Sequence, residues 1–87
     1  MVKIETVISQ VGICLGLNLR GKDEKTYARW DAKALVVKLC LDLGYTIIEI
    51  KRPGFGHNKK EYINRFEKSS IKHKELYKKL KKTYEIC

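Results

Sequence analysis

The stretch Ala34-Leu35-Val36-Val37-Lys38-Leu39-Cys40-Leu41-Asp42-Leu43 decides the fold. Its only polar residues, Lys38 and Asp42, stand four apart and so share one narrow stripe of a helix. A helix this apolar must be covered on most sides, which makes it the central one. A buried strand is the rival reading of Leu35 to Val37. The length of the run and its Ala and Leu content favour helix. Gly44 follows where a left-handed C-cap closes a helix. The pattern predicts a helix over residues 28–43, with Trp30 near its start as a core or staple aromatic.

Upstream, Ile4, Val7, Ile8, Val11 and Leu15 follow steps of 3, 1, 3 and 4, one face of a helix over about 3–15 that Gly16 ends. Leu17 to Lys25 reads as a loop with the charged tip Arg20-Gly21-Lys22-Asp23-Glu24-Lys25. Downstream, Thr46-Ile47-Ile48-Glu49 fits a capping box and opens a short helix over 46–52. Pro53-Gly54-Phe55-Gly56 cannot continue it and marks a turn. Asn58-Lys59-Lys60-Glu61 resembles a second capping box, at the head of a helix over 58–68. Ser69 and Ser70 break or cap. A last helix over 71–85 turns Leu76, Tyr77, Leu80 and Tyr84 inward and carries Lys72, Lys74, Lys78, Lys79, Lys81 and Lys82 on its other face. The expected fold is all-α, one domain over 1–87, a five-helix bundle around a central buried helix.

Charge narrows the choice of partner. The 87 residues carry 19 Lys and Arg against 10 Asp and Glu, a net charge of +9. Residues 1–50 hold 7 basic and 6 acidic side chains, whereas residues 51–87 hold 12 and 4. So large an excess in one half points to a polyanion docking on that half, nucleic acid before anionic membrane. No apolar run approaches the 18 residues or so of a membrane span, and nothing reads as a signal peptide. Of the three cysteines, Cys14 and Cys40 read as core thiols and Cys87 as a tail thiol. With His57 and His73 they make no metal-ligand spacing, so neither metal nor cofactor is expected, and reduced thiols imply a cytoplasmic setting. No Ser-His-Asp set or paired-carboxylate site emerges, which argues against an enzyme.

A short capped helix, a Gly-containing turn and a second capped helix make a helix-turn-helix pattern. In the fourth helix Ile63 and Phe66 are the apolar pair expected to face the core, which points Glu61, Asn64, Arg65 and Lys68 away from it, toward the major groove of double-stranded DNA. Asn and Arg offer bidentate donors to adenine and guanine, and lysines offer charge. Lys59 and Lys60 lie at the helix start, beside backbone N–H groups suited to phosphate. His57, in the turn, and Asn58, the cap of the fourth helix, complete the expected DNA-binding set. Tyr62 divides evenly between packing beneath the turn and touching the nucleic acid. Arg20, Lys22, Lys25, Arg29, Lys51 and Arg52 are the expected contacts to the DNA backbone. The lysines of the fifth helix read as a solvated face with a general electrostatic role.

Tyr27-Ala28-Arg29, the apolar helix 32–43, Thr46-Ile47-Ile48-Glu49-Ile50 and Phe55-Gly56 together resemble the C-terminal DNA-binding domain of the bacterial replication initiator DnaA, a Trp-repressor-like helix-turn-helix. The resemblance runs from Ile4 to about Tyr84. It implies an origin-binding or regulatory DNA-binding protein. The family opens its recognition helix with Gly-Arg-Asp-His-Thr-Thr, where this chain has His57-Asn58-Lys59-Lys60-Glu61-Tyr62, and Asp23 falls where the family's loop places an Arg in the minor groove. One residue is also inserted ahead of Phe55. The implied DNA sequence preference is therefore a different one, and tight binding is expected of two copies on paired half-sites. The alternative on the same scaffold is a protein-interaction module that binds or inhibits a replication or nucleic-acid-processing protein. An RNA-binding or membrane-surface role is weaker, because the fifth helix lacks the Trp, Phe and Leu face that insertion needs.

Overall fold

Five helices make up the architecture: α1 (Ile4–Leu15), α2 (Tyr27–Asp42), α3 (Ile47–Lys51), α4 (Lys59–Glu67) and α5 (Ile71–Thr83). The computed structural model describes residues 2–16, 27–51 and 59–84, and of Tyr27, Ala28, Arg29 and Lys51 it describes the backbone. No strand occurs among the described residues, so the chain is all-α there. The helix ends fall within two residues of those read from the sequence.

The apolar run of α2 explains the arrangement. Ala32, Ala34, Leu35, Val36, Val37, Leu39 and Cys40 are all fully buried, which requires neighbours on several sides. The other four helices all pack on α2. Val7, Ile8 and Val11 of α1, Ile50 of α3, Tyr62 and Phe66 of α4 and Leu80 of α5 complete one continuous core. A single fully buried leucine or valine of this kind contributes about 1.5–3 kcal/mol by leaving water.

Local chemistry sets the helix ends. Gly16 closes α1 at φ 68°, its N–H donating back to Gly12 and Ile13. Gly44 closes α2 at φ 101°, where its N–H donates to Leu41 O and that of Tyr45 to Cys40 O. These two bonds satisfy carbonyls that the helix end would otherwise leave bare. The capping box of α3 forms as the sequence predicts: Thr46 N–H donates to Glu49 Oε1 at 3.0 Å, and Glu49 N–H donates to Thr46 Oγ1 at 3.3 Å. Ser70 caps α5 by accepting from His73 N–H at 3.5 Å.

Three tyrosine hydroxyls tie the elements together. Tyr45 donates to the carbonyl of Val2 at 2.7 Å. Tyr77 on α5 donates to Asp42 at the end of α2, and Tyr84 to Gln10 on α1. Each ring packs against the core while its hydroxyl finds an acceptor at the rim. Cys40 is a core thiol, but Cys14 is exposed. It lies in the last turn of α1, one residue before Leu15, and its exposure corrects the expectation of a second core thiol.

Candidate nucleic-acid interface

α4 holds the residues that matter most. Phe66 and the fully buried Tyr62 stand four apart and turn the same side of the helix into the core. Ile63 is only partly covered. Taking Tyr62 and Phe66 as the inward direction, at about 100° per residue, rotates the helix by roughly 50° from the orientation that Ile63 and Phe66 would impose. The outward line then runs through Lys60, Asn64 and Lys68, at i, i+4 and i+8, and all three are exposed.

Two sequence-predicted contacts change place with this rotation. Tyr62 is sealed in the core, so of its two expected roles it takes the packing one. Arg65 turns from the outward face to the shoulder of α4. Its Nε lies 2.5 Å from Asp31 Oδ1 on α2, and its guanidinium sits 4.7 Å from the centroid of the Trp30 ring. This holds the cation against the protein body instead of presenting it to a base.

Lys59, Lys60, Glu61, Asn64 and Lys68 are exposed on or beside α4. Lys59 and Lys60 begin the helix, where the aligned peptide dipoles disfavour a cation and favour an anion. Glu61, also in the first turn, has the charge that end prefers. Arg20, Lys22, Lys25, Arg52, His57 and Asn58 lie outside the described residues, as does the turn between α3 and α4. Arg29 belongs to the first turn of α2 and Lys51 ends α3, but their side chains lie outside the description.

The corner between α4 and α5 is short and well fastened. Ser69 donates from its hydroxyl to Phe66 O at 2.5 Å, and Ser70 caps α5. The Phe66 and Tyr77 rings then meet edge-on with centroids 4.9 Å apart. Lys38 and Lys81 stand over the Tyr77 ring at 5.9 and 5.6 Å. From Lys59 to Tyr84 the chain carries ten basic and three acidic side chains, so both helices and the corner between them are rich in positive charge.

Sequence reasoning missed Asp31 and Trp30 as the partners of Arg65. Asp31 lies 34 positions away, and no local spacing announces such a pair. Among the described residues no group of three or more His, Cys, Asp and Glu could hold a metal ion. Nor is any helix there long and apolar enough to cross a membrane. Comparison with protein families, with curated proteins and with solved structures gave no match.

Proposed function

We propose that the chain binds double-stranded DNA, with α3 and α4 as a helix-turn-helix pair and the outward face of α4 in the major groove. The observation that carries this reading is the exposed row Lys60, Asn64 and Lys68. It spans eight residues, about 12 Å of helix, and the major groove is about 12 Å wide. Asn64 stands at its centre, where a carboxamide can pair with adenine N6 and N7. Lys60 and Lys68 flank it as charges for phosphate or guanine. Arg65 serves as a strut that fixes the angle of α4 against α2, and Tyr62 as part of the core beneath it.

The scaffold proposed is that of the initiator's DNA-binding domain, with a different sequence preference, because the residues at the start of α4 differ from that family's. Two copies on paired half-sites would supply the contacts that a single small domain lacks. The protein then acts as a regulator or origin-binding factor and needs no catalysis or cofactor.

The test is a titration of duplex DNA at several salt concentrations. Neutralising about 5–7 phosphates gives a slope of log K against log salt near −5 to −6. Duplexes selected from a random library then give the preferred site. If no duplex binds at low salt, the reading fails and the protein-interaction alternative replaces it.

A further inference from the structure

The lysines of α5 are too regular to be left as a solvated face. Lys74, Lys78 and Lys82 stand at i, i+4 and i+8, and all three are exposed. They form a straight row of like charges about 6 Å apart along the axis. Lys68 and Lys72, also exposed, flank the Ser69-Ser70 corner and add charge between this row and α4.

Such a row carries a cost. Like charges four residues apart repel and weaken the helix that bears them. The Ser70 cap and the lysines in the last turn, which suit the negative end of the helix dipole, offset part of it. A polyanion lying along the row would remove the rest. Lysine offers a point charge with no planar fork, and it is the cation this face repeats with no Asn, Gln or Arg beside it, so the row suits the phosphate backbone. The apolar side of α5, with Leu76, Tyr77 and Leu80, is packed on the core, and the exposed Ile71 is a single residue, short of the apolar face that insertion into a lipid surface needs.

We propose that the Lys74, Lys78 and Lys82 row of α5 is a second, sequence-independent contact to the phosphodiester backbone of the duplex that α4 enters. This rests on the DNA-binding reading above and divides the labour within it. α4 supplies preference, and α5 supplies charge-driven affinity.

The experiment uses the full chain and the variant Lys74→Gln/Lys78→Gln/Lys82→Gln, titrated against random and selected duplexes across a salt series. The triple variant should bind both duplexes more weakly by the same factor. Its slope of log K against log salt should be shallower by about 2.7, and that of Lys78→Gln alone by about 0.9. Without DNA, the triple variant should melt higher than the wild type at low salt, and the difference should vanish at high salt. Those melts also establish that the variant is folded. If the wild type binds duplex steeply and the triple variant matches it in affinity and slope, the α5 inference is overturned and the α4 reading stands. A loss confined to the selected duplex would make α5 a base reader and also overturn it. If the wild type binds no duplex, or binds phosphatidylserine vesicles in its place, both readings fall.

Discussion

Arg65 reaches from α4 to Asp31 on α2, with 2.5 Å between Nε and Oδ1, and lays its guanidinium over Trp30. The two charged side chains keep 28% and 25% of their surface in water, so solvent still screens the pair. The pair and the ring contact together contribute on the order of 1–2 kcal/mol. Arg65→Ala should therefore lower stability by that amount and weaken binding to selected and random DNA alike, by loosening α4. Arg65→Lys should recover only part of it, because an ammonium cannot stack its plane on the indole. Denaturant titration and paired binding curves check this. A loss on the selected duplex alone would return Arg65 to base reading.

Leu39 is fully buried in the last turn of α2. Leu39→Ala leaves a cavity in the core that α2 shares with the other helices and should cost roughly 2–5 kcal/mol. A loss well under 1 kcal/mol in a denaturant titration would contradict the central placement of α2.

The fold was legible where the information is local. The apolar run of α2, the glycines at 16 and 44 and the Thr46-Glu49 box each act within a turn or two of chain, and the helices follow them. The orientation of α4 was not legible in the same way. Tyr62 and Ile63 are adjacent and compete for the inward position. The larger aromatic wins because it buries more surface and stands four residues before Phe66. That choice depends on the shape of α2, which no window around α4 contains. Arg65 moves off the outward face for the same reason, since its acceptor belongs to another helix.

Alkaline pH should unfold the chain early. Burial pushes the Cys40 thiol from its ordinary 9.0 up to about 12. Burial, followed by the hydrogen bond and charge of Asp42, raises the Tyr77 phenol. Burial, followed by the neighbouring Cys40 and Cys14, raises that of Tyr84. A group raised by folding contributes stability that is complete below its unfolded pKa and lost as pH climbs toward the folded value. Each withheld proton gives a slope of about 1.4 kcal/mol per pH unit. Denaturant midpoints at pH 8 to 11 should fall, and Cys40→Ala should fall less steeply than the wild type between pH 9 and 11. Equal slopes would contradict the burial of Cys40.

Thiol reactivity should separate the two cysteines by position. Cys14 is exposed and Cys40 is buried, so a maleimide should label Cys14 in the folded protein and Cys40 only after denaturation. Peptide mapping by mass spectrometry reads the outcome. Rapid native labelling of Cys40 would mean that α2 is not enclosed.

The central claim is that the outward face of α4 reads bases through Asn64. Its most direct test compares Asn64→Ala with the wild type on the selected duplex and on random DNA, at one salt concentration. A lost bidentate contact is worth about 1–3 kcal/mol, so affinity for the selected duplex should fall roughly ten- to hundredfold while affinity for random DNA barely changes. If the variant keeps full affinity for the selected duplex, or loses the same factor on both DNAs, α4 does not read sequence through Asn64 and the account is wrong at its centre.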